Sequence, residues 1–172
     1  MLALTGCAAT ATPARSPAAG LRAGLTSYLR AVEPIRLAVN RLLDTADPIL
    51  AGYRDHTVRP AETVRRMDTL ERRFAAYAVE IAAITPAVAQ LRPLQAEYAH
   101  TYILEDAYLS ALVSGLARRD LRDLPDTQAA QRAAIIAWRT GLTVLARHAH
   151  DVLPPDLEQA GRGEVAPSIG AS

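Results

Sequence analysis

The sequence predicts an all-α protein: an antiparallel up-down-up-down four-helix bundle with a kinked first helix. Three observations carry that expectation. The 172 residues include 35 Ala and 22 Leu but only eight aromatic side chains, so helices are well supplied and a sandwich or barrel is not. Apolar residues recur at alternating steps of three and four along four stretches, which puts one apolar stripe on each helix. The later stretches match in length and are joined by short links, which makes neighbouring helices antiparallel. The length suits one domain, with the bundle over residues 21–153, a tether over 1–20 and a loose tail over 154–172.

The first stripe is Leu21, Leu25, Tyr28, Val32, Ile35 and Val39, continued by Leu42, Ala46, Ile49 and Tyr53. Pro34 and Pro48 lie within it, and each removes a backbone donor and crowds the preceding turn. Because the stripe keeps phase across both prolines, the sequence predicts one long bent helix, with a split at Pro34 as the alternative. Arg54 to Arg59 form a polar link. Pro60 suits a first helical turn, and Met67, Leu70, Phe74, Tyr77, Ile81 and Ile84 make the second stripe. Thr85 and Pro86 read as the N-cap and first residue of a third helix, and Pro93 offers a later start. The third stripe is Tyr98, Tyr102, Glu105, Leu109, Leu112 and Leu116. After a charged link containing Pro125, either Asp126 or Thr127 is placed to cap the fourth helix. Its stripe is Ile135, Trp138, Leu142, Leu145, Ala149 and Val152, stopped by Pro154 and Pro155.

Charge narrows the function classes. With 19 Arg, no Lys and 18 acidic residues, the net charge is +1, which argues against a nucleic-acid coat protein, since such domains carry a marked basic excess. Arginine without lysine fits GC-rich coding better than a need for bidentate phosphate recognition. The sequence has no glycine-rich phosphate loop and no Ser/His/Asp spacing that would support nucleophilic catalysis. No enzymatic activity and no cofactor are therefore expected. Helices of matched length can also pair between chains, so a homo-oligomer is compatible with the pattern.

Few polar residues stand out. Glu97 and His100 are three apart on the third helix, the spacing by which carboxylate-bridged di-iron bundles hold metal. The sequence lacks a convincing second pair, and the phase that buries Tyr98 and Tyr102 turns His100 roughly 160° from the stripe centre at about 100° per residue. No metal is expected there, and a degenerate ferritin-like metal protein using Glu97, His100 and Glu105 is the enzyme-class alternative. Glu105 falls near the centre of the buried stripe, where an unpaired carboxylate is costly. The hydroxyls of Tyr98 and Tyr102, or an arginine from a neighbouring helix, are its expected partners. Together these three residues make a buried polar site: either a structural glutamate that fixes helix register, or a small pocket for a ligand or a proton. His148 and His150 are expected at a helix end, where an imidazolium is favoured by the dipole. Arg65-Arg66, Arg72-Arg73 and Arg118-Arg119 lie near Glu62, Asp68, Glu71 and Asp120 and read as solvated faces, with contact to acidic lipid headgroups as the alternative.

Cys7 is the only cysteine, so it can form no internal disulfide. Leu4, Thr5, Gly6 and Cys7 resemble, position by position, the lipobox that ends a bacterial lipoprotein signal. The resemblance covers these four residues, and the six residues before Cys7 hold neither the basic start nor the apolar stretch of a whole signal. It implies diacylglycerol on the Cys7 thiol, cleavage between Gly6 and Cys7, and a location in the cell envelope on the outer side of the cytoplasmic membrane. Ala8 to Gly20, built of Ala, Thr, Ser and Pro with one charge, suits a tether. The expected function is that of a lipid-anchored binding or interaction module with an unidentified protein or small-molecule partner. An intracellular helical oligomer without an anchor is the remaining alternative.

Overall fold

The computed structural model describes residues 16–155 and 157, and all the secondary structure there is helical. The helices are α1 (Pro17–Asp44), α2 (Ala46–Arg54), α3 (Pro60–Ala83), α4 (Leu91–Arg118) and α5 (Gln128–His148). The four long helices form the bundle, with α3 between α1 and α4, and α5 between α4 and α1. Neighbours are antiparallel, because pairing that climbs one helix descends the next. Tyr102 of α4 stacks on Phe74 while Gln95 reaches Ile81, and Tyr98 stacks on Trp138 while Glu105 reaches Gln131. It follows that α1 and α4 occupy diagonal corners and run parallel.

Side chains from all four corners close one core. Val32, Met67, Tyr98, Leu109, Trp138 and Leu142 are without solvent exposure, and every member of the predicted α4 stripe is buried, Glu105 included. Burial of this kind contributes about 25 cal/mol per Å² of apolar surface.

The structure corrects several boundaries. Helix α1 runs unbroken through Pro34, and the interruption comes at the single residue Thr45. Proline lacks the N–H that would bond the carbonyl four residues earlier. For Pro34 that carbonyl belongs to Arg30, and both residues are exposed, so water can solvate the orphan. For Pro48 it belongs to Asp44, the last residue of α1. There Thr45 turns its own N–H and hydroxyl onto the Leu42 carbonyl, at 3.1 and 2.6 Å, tightening the turn, and α2 begins with Pro48 in its first turn. The bundle starts earlier than expected: the Ser16 Oγ accepts from the Ala19 N–H at 3.2 Å and Pro17 opens α1, so 17–20 are helix rather than tether. Helix α4 starts at neither proposed proline but at Leu91, with Pro93 in its first turn. The Thr85-Pro86 pair lies in the link before it, where Pro86 is buried.

At the other end α5 stops at His148, and Val152, expected on the stripe, is 86% exposed, while Leu153 packs inward. Arg22 of α1 reaches across and donates to the carbonyls of Ala149, the C-cap of α5, and of His150 beyond it, satisfying one acceptor that the helix terminus leaves open. Leu157 is 2% exposed and its carbonyl accepts from Arg139, so core packing extends past the predicted bundle limit of residue 153.

Two glycines permit close approaches. Gly24 faces Val88, whose Cγ2 would lie 2.0 Å from an added Cβ, and so lets the α3–α4 link pack on α1. Gly115 lies under the end of α4, where Arg119 is left-handed with φ 58° and the Asp120 N–H donates to the Gly115 carbonyl at 2.9 Å, a Schellman closure. Substitutions four residues apart should therefore act in opposite directions. Gly115→Ala would set a Cβ 2.8 Å from the Asp120 carbonyl oxygen and should destabilise by about 1–3 kcal/mol, as overpacking does. Arg119→Gly removes a left-handed cost of about 1–2 kcal/mol, partly offset by the greater freedom of an unfolded glycine, and should stabilise slightly. Urea unfolding monitored by circular dichroism measures both.

Candidate functional site

Glu105 is 1% exposed on the inner face of α4. Its Oε2 accepts from Nε2 of Gln131 on α5 at 2.6 Å, and that nitrogen also lies 3.2 Å from the Thr101 carbonyl. A glutamine, which sequence reasoning did not name, thus supplies a donor to this carboxylate. Its signal was present: Gln131 lies one turn before Ile135 on the buried face of α5. Tyr102 and Tyr98 are buried one and two turns below Glu105, their hydroxyl oxygens 3.2 Å apart and their rings edge to face at 5.4 Å.

Below this group a hydrogen-bond relay touches all four long helices. Trp138 Nε1 donates to the Tyr28 hydroxyl at 2.9 Å. That hydroxyl donates to Gln95 Oε1 at 2.7 Å, and Gln95 Nε2 donates to the Ile81 carbonyl at 2.6 Å. Each buried polar atom named is paired, as a dry interior requires. Burial pushes the Tyr28 phenol well above the usual tyrosine range, against a smaller opposing effect of the Trp138 hydrogen bond, so it stays neutral and remains a donor. A second buried charge, Arg36 on α1, is 2% exposed and held by Glu33 through two hydrogen bonds of 3.0 and 2.9 Å.

The other sequence candidates are scattered. Glu97 and His100 are exposed on the outer side of α4. Among the described residues no three His, Cys, Asp or Glu side chains are grouped to hold a metal ion. His148 ends α5, and His150 follows the cap in a left-handed conformation with φ 52°. Arg65 and Arg66 both pair with Glu62, and Arg72 pairs with Asp68. Asp120 pairs with Arg122, whose guanidinium holds that carboxyl down to about 2. Cys7 and the rest of the lipobox lie outside the described residues.

Two carboxylates face each other across α3 and α4. Burial raises Glu71 above its ordinary range, Asp106 and Asp68 raise it further, and Arg72 and the Ser110 hydroxyl oppose them. Burial likewise raises Asp106, whose Oδ1 is buried without a hydrogen-bond partner among the described residues. A carboxyl whose folded pKa is raised adds stability below its unfolded pKa, roughly 4, and loses that contribution as pH rises through the folded value. Asp106→Asn should therefore be more stable than the parent at pH 7. It should also show a weaker rise in stability on acidification toward pH 4, read as unfolding midpoints across that range.

One concave feature was not anticipated. Where Thr45 breaks the first helix, α2 turns along α3 and an open groove of about 440 Å³ forms between them, floored by Leu42, Ile49 and Leu70 and edged by Glu62, Arg65, Arg66 and Arg73. A second depression of about 240 Å³ shares Leu42, Thr45 and Arg73 with it and adds Arg41 and Tyr77. The α3 arginines are visible in the sequence, but bringing Arg41 beside Arg73 takes the α1–α3 register, which no local pattern encodes.

Compared with known protein families, curated proteins and solved structures, the chain matches none of them.

Proposed function

We propose that this protein is a lipoprotein of the cell envelope, held through Cys7 at the outer side of the cytoplasmic membrane, and that its helical bundle works as a binding or interaction module rather than as an enzyme. The observation that carries the reading is the tetrad Leu4-Thr5-Gly6-Cys7, with Cys7 the only cysteine. Other features are compatible with it. No helix among the described residues is long and apolar enough to cross a membrane, and a diacylated cysteine provides two chains, the number that stable attachment takes. Ser16 caps α1 nine residues after Cys7, leaving a short spacer between anchor and bundle. The groove beside α2 offers a concave surface for a partner.

The test is mass spectrometry of the protein expressed from its own gene in a bacterial host. The expected mature amino terminus is Cys7 carrying a diacylglycerol mass, and Cys7→Ala should move the protein from the membrane fraction to the supernatant with its helical circular dichroism unchanged. A mature terminus elsewhere, or a Cys7 without acyl groups, overturns the anchor.

A further inference from the structure

We propose that the groove between α1, α2 and α3 is a binding site for a phosphate ester, with the phosphate between Arg41 and Arg73 and its organic part along Leu42, Ile49 and Leu70. This gives the binding-module half of the reading above a ligand class and rests on that half alone.

Charge is the first support. Four arginines and one glutamate line the two joined depressions, an excess of three positive charges on one face of a chain whose net charge is +1. Such a concentration suits a dianion better than a carboxylate, and guanidinium forks match phosphate oxygens two at a time. The arginines differ in availability. Glu62 holds both Arg65 and Arg66, whereas Arg41 and Arg73 make no hydrogen bond or ion pair among the described residues. These two come from different helices and line the same depression, so an anion bound by both would tie α1 to α3.

The hydroxyls sort the same way. Thr45 donates to the Leu42 carbonyl and Thr69 to the Arg65 carbonyl, so their protons are used. The phenol of Tyr77, beside Arg73 in the smaller depression, makes no hydrogen bond among the described residues and can donate to a phosphate oxygen. Size supplies the organic part. Ligand sites are commonly about 300–1,000 Å³, and the larger depression alone is about 440 Å³, far more than a bare phosphate fills. The aliphatic floor is where an alkyl or other apolar stem would lie.

Calorimetric titration of the protein with octyl phosphate tests this. Saturable one-to-one binding is expected, and loss of two charge-assisted contacts in the Arg41→Gln/Arg73→Gln variant should weaken it at least about tenfold. Both residues are exposed, so the variant should melt as the parent does. Inorganic phosphate should bind at least about tenfold more weakly than octyl phosphate because it leaves the floor unused, and octyl glucoside should not saturate. The proposal is overturned by no octyl phosphate binding, by equal binding to parent and variant, or by inorganic phosphate binding as tightly as the ester. Phosphatidylcholine vesicles containing phosphatidic acid then identify the source. Displacement of octyl phosphate supports the site with a membrane lipid as ligand, and no displacement supports it with a soluble ester. None of these readouts depends on Cys7, so the anchor and the groove can fail separately.

Discussion

Replacing Trp138 by alanine is expected to destabilise the bundle by about 3–5 kcal/mol, the range for emptying a large aromatic site. The indole has no solvent exposure and stacks on Tyr98 with centroids 4.0 Å apart and planes 11° from parallel. Its N–H also begins the relay through Tyr28 and Gln95 to the Ile81 carbonyl. The alanine variant thus loses the volume, the stacking and the donor together. Phenylalanine separates them: it keeps much of the ring and forfeits the hydrogen bond, for which about 1–2 kcal/mol is the ordinary cost. Against a typical total stability of about 5–15 kcal/mol, Trp138→Ala should shift the urea midpoint far down, and Trp138→Phe should fall between it and the parent. Equal losses in the two variants would mean that the N–H, and not the packing, is what Trp138 supplies. Far-UV circular dichroism is the appropriate signal, because either change removes the only tryptophan.

Trp138 also marks what the sequence made legible. A residue at helical spacing between Ile135 and Leu142 reads as core from its period alone, and so do Tyr98, Tyr102, Leu109 and Leu112 on α4. Period says which way a side chain faces on its own helix. It does not say which residue of another helix it meets, because that depends on axial register. Glu105 was legible as a buried carboxylate for this reason, while Gln131 as its partner was not. The helix ends obeyed backbone chemistry more than periodicity. Phase is indifferent to proline, so the stripe ran through Pro34 and Pro48 alike, although only Pro48 is followed back, four residues earlier, to a helix end. The stripe likewise carried the fourth helix on to Val152, past the left-handed turn at His150 that ends it.

The candidate site divides along the same line. The α3 arginines and their acidic neighbours were visible as a charged face, and the pairs Glu62 with Arg66 and Asp68 with Arg72 are local i,i+4 contacts of a kind that spacing predicts. Arg73 belongs to the same run, yet what distinguishes it is the neighbour from α1. The groove itself depends on the break at Thr45, since an uninterrupted first helix would not have turned α2 onto α3. A one-residue change in where a helix stops therefore decides whether the molecule has a cleft on that side.

Glu105→Leu is the second large change, expected to destabilise by about 3–5 kcal/mol, the range for removing one member of a buried charged set. The reason is a second charge at the same height. On α1 and α5, Arg22 meets Ala149 and Tyr28 meets Trp138, so two turns farther up α1, at Arg36, the facing level of α5 is near Gln131, the residue that binds Glu105. The parallel pairing of Tyr28 with Gln95 gives the same answer on α4, because eight residues beyond Gln95 is one turn or less from Glu105. Arg36 and Glu105, 2% and 1% exposed, thus occupy one layer with opposite signs. Removing the carboxylate alone takes one negative charge from the layer that holds the buried guanidinium and leaves Gln131 with a donor to place. Arg36→Met alone should cost a similar amount. The double variant should be more stable than the sum of the single losses predicts, by about 1–3 kcal/mol, because two well-packed apolar side chains need no compensation. Strict additivity in that cycle would show that the two charges are compensated separately, Arg36 through Glu33 and Glu105 through Gln131, and that this layer does not set the register of the bundle.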